Sequence, residues 1–328
     1  MTTSSPASHH ADLSASPSAN PPSCPPSCPW PAIAAAQQRL VPRVPFTVAQ
    51  HPSDAANPAE AARAAAPHLA GSIARAHLEA LARWPEALRV DDHAVSLTLP
   101  ATERTTFFAQ ANAVLRDAGL ITAWRNETYP VLAHETRELL ATFERAASRF
   151  WGTITFGAHC NGFVADAEGR PERLWIARRA MSKATDPGLL DNLIGGGVPH
   201  GQSPFETVVR EGWEEAGLTP AQMRGLRPGR LLRVARDIPE GFMLEWISVF
   251  DLALPPGLTP CNQDGEVAEL HCLAIDEALA HAAGPGMTVD AALVTLDFAL
   301  RHRLLPPDQH RALTTQSQPL WLGQAEAH

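Results

Sequence analysis

The sequence lacks a disulfide framework, a membrane-length apolar run and an excess of positive charge. Its five cysteines, Cys24, Cys28, Cys160, Cys261 and Cys272, form no pairing pattern, so a reduced compartment is expected. Cys24 and Cys28 lie in a Pro-Ser run with no His or Cys set beside them, and no structural zinc is expected there. No apolar stretch reaches bilayer length and the N-terminus has no signal-type apolar core, so no membrane association is expected. The net charge of −9 and isoelectric point near 5.8 exclude the basic face that a nucleic-acid backbone demands. A G-x-x-x-x-G-K-[ST] phosphate loop is absent, which excludes a P-loop kinase part. Arginine is absent before Arg39 and acids are nearly absent from the first thirty or so residues, which are rich in Ser, Ala and Pro. They are read as a disordered tail of a cytoplasmic protein rather than a transit peptide. No internal repeat is visible.

What is present, 328 residues with 45% apolar content, suffices for two modest domains. The pattern changes near Ala146 to Trp151, which divides the chain into a tail (1–30), a smaller α+β accessory domain (31–148), an α/β domain (149–305) and a polar C-terminal tail (306–328). In the first domain, short helices are expected at Pro31–Leu40 and within the Ala-rich Pro58–Leu88. Val90–Leu99 alternates like a strand, with an Asp91-Asp92-His93 turn near its start, and Glu103–Ala118 reads as a helix stopped by Gly119. Glu135–Arg149 reads as a further helix. In the second domain, strands are expected at Ile154–Val164 and Leu174–Arg179, with Leu189–Ile194 leading into Gly195. A hairpin joins Arg230–Arg236 to Phe242–Leu252, a strand follows at Glu266–Leu273, and a helix begins at Asp276. Val289–Arg301 reads as the last amphipathic helix.

One stretch organises the rest, GGGVPHGQSPFETVVREGWEEAGL from Gly195 to Leu218. Ser203 can cap a helix, Pro204 fits its first position, and Glu206 sits where a capping-box glutamate reaches back. Gly217 supplies the left-handed stop after Ala216. At about 100° per residue, Phe205, Val208, Val209, Gly212 and Ala216 share one stripe, suited to a sheet. Glu211, Glu214 and Glu215, at i, i+3 and i+4, share another. Each close carboxylate pair costs about 4 kcal/mol at an effective dielectric of about 20. A divalent cation removes that cost, and Mg²⁺ prefers carboxylate oxygen. A glycine-rich loop beside the helix lets backbone approach a phosphate. Together these features point to metal-assisted attack of water on a phosphoanhydride. A solvated acidic helix face is the competing account; the glycines and the Arg210-Glu211 pair weigh against it.

The stretch resembles the Nudix box, G-x5-E-x7-R-E-U-x-E-E-x-G-U, with U a bulky aliphatic residue. Gly196, Arg210, Glu211, Glu214, Glu215, Gly217 and Leu218 fall in register. Gln202 stands where the first glutamate belongs, and Gly212 where a bulky residue belongs. The resemblance implies an α/β/α sandwich with a mixed sheet. It implies that Glu211, Glu214 and Glu215, with Gly196, hold Mg²⁺ or alternatively Mn²⁺, and that Arg210 orients a glutamate.

Further runs are similar to one branch of that family: Phe143 to Ala147, Phe156 to Gly162, Leu174 to Arg179, Pro187 to Asn192 and Asn262 to Val267. The branch includes the Nudix part fused to fungal thiamin pyrophosphokinase, with related plant and bacterial proteins. Its members carry an extra N-terminal domain ending in a Trp-Arg-Asn-Glu-x-Tyr-Pro-Val cluster, here Trp124 to Val131, and commonly lack the first box glutamate. The resemblance implies a small-molecule diphosphate substrate. It favours thiamin diphosphate analogues, oxidised forms above all, cleaved to the monophosphate. Oxidised guanine nucleoside diphosphates such as 8-oxo-dGDP are the alternative.

Arg178, Arg179 and Lys183, upstream of the glycines, are candidate phosphate contacts against a reading as surface charge. Trp124, Arg125 and the chain's single tyrosine, Tyr129, are candidates for holding a flat heteroaromatic ring, against a reading as a packed domain seam. Glu266 is a candidate ligand or base, against a reading as an acid at a strand start. His159 and Asn161 read as satisfied residues of a sheet. Two other functions compete: a binding module inactivated by Gln202, and an isomerase using Cys160.

Overall fold

The computed structural model describes residues 30–54 and 66–326. The expected tail at 1–29, with Cys24 and Cys28, and the helical reading of 58–65 lie outside them. Helix α1 (Pro31–Ala35) opens the described chain. Trp30, expected in the tail, is buried and donates its indole N–H to Ala292 O at 3.0 Å.

The N-terminal part is built on strands β1 (Arg43–Val48), β2 (His68–Ala74), β3 (Leu88–Val90) and β4 (Val95–Leu97), with helix α2 (Leu78–Leu81) between β2 and β3. They form one sheet in the order β2-β1-β4-β3. Helix α3 (Ala101–Asp117) is followed by the hairpin of β5 (Thr128–Leu132) and β6 (Leu139–Glu144), then by the short helix α4 (Ala147–Trp151). Phe46, Phe108, Phe143, Phe150 and Trp151 close a core of their own.

The second part is a mixed sheet. Its strands are β7 (Ile154–Ala165), β8 (Pro171–Arg179), β9 (Leu190–Asn192), β10 (Ile194–Gly197), β11 (Arg227–Ile238), β12 (Gly241–Ala253), β13 (Val267–Ala274) and β14 (Trp321–Gln324). The order is β13-β8-β7-β12-β11-β14, with β10 paired to β7 and β9 to β8. β7 and β12 run parallel; β10 and β8 run antiparallel to β7. Helix α5 (Pro204–Ala216) covers one face, where Val208 and Ala216 join the core of Ala158, Cys160, Ile194 and Phe250. Helices α6 (Ile275–Ala282), α7 (Val289–Arg301) and α1 cover the other, where Val294 and Phe298 join that of Ile176, Ile247 and Val249. This is the expected α/β/α sandwich with a mixed sheet, preceded by a separate N-terminal domain.

Four local expectations are corrected. His68–Ala74 is a strand, not part of an Ala-rich helix: it pairs with β1 and buries Ala70 and Ile73, so sheet pairing overrides a weak helix propensity. The helix expected at Glu135–Arg149 is a turn, β6 and α4; Arg137 has φ +62°, which ends any helix there. Val90–Leu99 is the second half of a β3–β4 hairpin turning at Asp91, whose carboxylate accepts from His93 N and Ala94 N. The polar C-terminal stretch folds as helix α8 (Pro307–Ser317) and edge strand β14, anchored by buried Leu313 and Leu320.

Candidate active site

Helix α5 begins as its sequence dictates. Ser203 Oγ accepts from Glu206 N at 3.2 Å, and Glu206 Oε2 accepts from Ser203 N at 2.8 Å. Gly217 ends it with φ +65°. Gly212, where a bulky aliphatic residue was anticipated, fits because Met223 fills that space: an added Cβ would lie 2.7 Å from its Cε. Ser203→Ala should lower stability by about 1 kcal/mol, seen as a shifted denaturation midpoint. Turnover should fall less than in any carboxylate variant; lost activity at unchanged stability would mean that Ser203 touches substrate.

The glycine run is not the phosphate-cradling loop expected from sequence. Gly195, Gly196 and Gly197 are residues of β10, paired with His159, Ala158 and Gly157 of β7. Space explains them, because each holds a neighbour's polar group where its own side chain would stand. A Cβ would lie 2.9 Å from the His159 ring at Gly195, 2.2 Å from Glu211 Oε1 at Gly196, and 2.1 Å from Tyr129 Oη at Gly197.

The carboxylates of α5 sit against this strand. Glu215 is buried, and its Oε2 accepts from Gly195 N at 2.8 Å. Glu211 Oε1 accepts from Arg210 at 2.8 Å, and Glu214 Oε2 accepts from the other guanidinium nitrogen at 2.6 Å. Arg210 therefore stands between Glu211 and Glu214, and among the described residues no three His, Cys, Asp or Glu side chains converge as a ready-made metal site. The donor chemistry nevertheless fits a hard divalent cation: three carboxylates on adjacent turns share one paired cation, Arg210. Burial, with neighbouring Glu214, pushes the Glu211 carboxyl up to about 7. Burial and Glu211 push Glu215 well above the usual carboxylate range.

A pH dependence follows. Both carboxyls hold protons more tightly folded than unfolded. In metal-free protein their contribution to stability is therefore greatest below the unfolded value near 4.5. For Glu211 it is lost as pH rises through about 7, by about 3 kcal/mol, and for Glu215 as pH rises through that group's own raised value. A cation binds the ionised form, so the rise in melting temperature on adding Mg²⁺ should be larger at pH 8 than at pH 5.5. Calorimetry giving equal increments at both values would remove these two groups from the cation site.

The cavity beside them has a volume of about 690 Å³ and is walled by both parts of the chain. Gly195, Gly196, Gly197, Gln202, Arg210, Glu211 and Glu214 line one end. Arg125, Glu127, Arg145 and Arg149 come from the N-terminal side. Arg179 and Lys183 line it too, already engaged: Arg179 bonds Asp191 Oδ2 at 2.8 Å and Thr185 O at 2.8 Å, and Lys183 pairs with Glu266. Burial alone would raise Glu266; the pair with Lys183 outweighs it and holds the carboxyl below its ordinary range. The Arg125 guanidinium makes no hydrogen bond or ion pair with the described residues, while its backbone N–H is held by Glu144 Oε1 at 2.8 Å.

Four sequence candidates do not line this cavity, and the first is Glu215, buried against Gly195. Arg178 points away and bonds Glu269 Oε2 at 3.1 Å and Gly188 O at 2.9 Å. The Trp124 indole N–H is tied to Asn126 Oδ1 at 3.0 Å, and Arg116 lies 4.8 Å above the ring. Tyr129 is buried in the N-terminal core with Arg145 5.4 Å from its ring centre, and burial pushes its hydroxyl up to about 12. Neither ring is presented for stacking. Cys160 faces α5 in the apolar core, and burial pushes its thiol up, which speaks against a nucleophile. His159 lines the cavity with Nδ1 bonded to Asn192 Oδ1 at 3.0 Å. Arg145, Arg149, Arg236, Glu245 and Asp290 also line it, although no motif marks them.

Comparison with known proteins places this geometry. Residues 157–291 match the model of the NUDIX domain, and residues 64–155 match that of a domain of unknown function, DUF4743. Nudix hydrolase 20, chloroplastic, of Arabidopsis thaliana is 35% identical over 225 residues, which is 67% of this chain and 59% of that protein. Nudix hydrolase 24, chloroplastic, of the same plant is 34% identical over 208 residues, 63% of this chain and 56% of that protein. The chain thus spans less than two thirds of either relative. A crystal structure of DR0079 from Deinococcus radiodurans aligns with a TM-score of 0.40 at 23% identity, over 52% of this chain and 99% of its own. No helix among the described residues is long and apolar enough to cross a membrane.

Proposed function

We propose that this chain, a Nudix-domain protein with a DUF4743 region ahead of the domain, is a divalent-cation-dependent hydrolase of small-molecule phosphoanhydrides. The observation that carries the reading is the pair of carboxylates, half-buried Glu211 and buried Glu215, packed on Gly196 and Gly195 beside a cavity rich in cations. Glu211, Glu214 and Glu215, with the Gly196 carbonyl, would hold Mg²⁺ or Mn²⁺. When bound, such a cation polarises a phosphoryl oxygen and makes water more acidic. Arg210 keeps Glu211 and Glu214 oriented. Arg125 and Arg179 face the diphosphate and neutralise charge as it develops. Lys183 has Glu266 as its partner and would exchange it for a phosphate oxygen, which leaves the Glu266 carboxylate free to accept a proton.

The substrate we propose is an oxidised thiamin diphosphate, cleaved to monophosphate and inorganic phosphate. The Trp124–Val131 cluster and the runs shared with thiamin-linked Nudix proteins support it. So do the carboxylates of Glu245 and Asp290 in the cavity wall, which suit an amino-bearing ring. Stacking on Trp124 or Tyr129 lends no support, since neither ring reaches the cavity. Oxidised guanine nucleoside diphosphates are the second reading, because the same carboxylates suit the N–H groups of guanine. Both substrates should be assayed side by side with Mg²⁺. We expect kcat/KM to be higher for the oxidised thiamin diphosphate. A clear preference for the nucleotide would replace the substrate, and no phosphate release from either would return the chain to a binding module.

A further inference from the structure

Two structural carboxylates of the same domain have both oxygens matched. Asp251, 3% exposed, accepts from Arg301 through both oxygens, from His302 at 3.0 Å and from Asn161 at 3.1 Å. Asp297, 1% exposed, is matched by Arg230 at 2.9 Å and Arg301 at 2.7 Å. In the wall of the cavity, two carboxylates break this pattern. Glu245 on β12 is 8% exposed and lines the cavity. Its Oε2 accepts from Arg149 at 2.8 Å and Thr155 at 3.2 Å, but its Oε1 accepts nothing from the described residues. That oxygen occupies the space left by Gly157, where a Cβ would lie 2.8 Å from it. Asp290, in the first turn of α7, lines the same cavity. Its Oδ1 is closed off from solvent with no partner, and no described residue donates to either oxygen.

A buried acceptor left unpaired, as Asp290 Oδ1 is, is unfavourable. Glu245 Oε1, to which no described residue donates, belongs to a side chain that lines the same cavity, and a ligand that brings donors satisfies both. We propose that Glu245 and Asp290 form the subsite for the organic end of the substrate, accepting hydrogen bonds from the N–H groups of an amino-substituted nitrogen heterocycle. The inference rests on the diphosphatase reading, which places the anhydride at the Glu211 end of the same cavity. Arg149 keeps Glu245 ionised against the effect of burial, so it stays an acceptor. Burial and Glu245 push the Asp290 carboxyl up to about 7, so an incoming donor or positive charge is favoured over a second anion. A site whose buried polar groups await N–H donors discriminates against analogues lacking them.

The test uses the full Mg²⁺-loaded chain with Asp290→Asn and Glu245→Gln. Oxothiamin diphosphate and guanosine diphosphate both present N–H donors, and phenyl diphosphate presents none. For whichever amino heterocycle is the true ligand, kcat/KM should fall at least about 10-fold, mainly through KM, with phenyl diphosphate unaffected. An equal loss on all three, or no loss on any, overturns the inference. Calorimetric binding of thiamin monophosphate and of guanosine monophosphate reads the subsite without turnover. Unchanged binding of both by Asp290→Asn overturns it even if no diphosphate is cleaved, whereas absent cleavage with weakened binding strikes only the diphosphatase reading. Should Glu245→Gln fail to fold for loss of its bond to Arg149, Asp290→Asn, which breaks no hydrogen bond, still decides.

Discussion

Glu215→Gln should lower turnover by about 10²- to 10⁴-fold and leave the metal-free fold at least as stable as the parent. The two halves of this expectation have one cause. Glu215 is 6% exposed, and its protein donor is the backbone N–H of Gly195. Its ionised form is disfavoured by burial and by Glu211. At pH 8 the metal-free protein either carries an uncompensated anion or retains a proton, and both cost stability. A glutamine amide oxygen can still accept from Gly195, and it removes the charge. What it cannot do is bind a hard cation as strongly as a carboxylate does. Losing several kcal/mol of cation-derived stabilisation of the transition state corresponds to the stated range. Steady-state rates and melting curves with and without Mg²⁺ check both halves. Full turnover in Glu215→Gln would remove the helix from the chemistry. A large loss of metal-free stability would make Glu215 a structural residue instead.

The sequence was most legible where caps and periodicity are local. The cap at Ser203, the stop at Gly217 and the bounds of Val289–Arg301 all follow from residues within a few positions of each other. Strands whose partners are distant were harder. β2 has an Ala-rich context, and its pairing with the distant β1 is what makes it a strand. Helix α8 and β14 contribute so few buried side chains, Leu313 and Leu320 among them, that no apolar stripe announced them. Arg178 and Arg179 are consecutive residues of a strand, and successive strand side chains point to opposite faces. Only one of them could meet a cavity on one face, and it is Arg179. Glu245 and Asp290 carry no motif because their meeting depends on β12 lying parallel to β7 and on the start of α7, a purely tertiary event.

Gly196→Ala should cost turnover about as heavily as a displaced catalytic group, about 10²-fold, for a modest loss of stability. Gly196 belongs to a regular strand and is not among the glycines with positive φ, so alanine introduces no backbone strain there. The cost is one of space. The new methyl would stand 2.2 Å from Glu211 Oε1, 2.4 Å from its Cδ and 2.6 Å from its Cγ. The strand is fixed by its pairing to β7, so the side chain must yield, and the Glu211 carboxylate leaves the strand. Crowding of this kind costs about 1–3 kcal/mol, and side-chain rotation at this half-covered site places the effect toward the lower end. Gly286→Ala is the control, since nothing lies within 4 Å of a Cβ there. It should change neither rate nor melting temperature. If Gly196→Ala kept wild-type turnover, the position of Glu211 on β10 would be irrelevant to the reaction, and the glycines would have to be explained by a direct approach of phosphate to backbone. If its rate fell while Mg²⁺ still raised the melting temperature as in the parent, Glu211 would act on the substrate and not on the cation. The expected result is a joint loss, with the rate and the Mg²⁺-induced stabilisation falling together because both depend on one carboxylate held where a glycine leaves room.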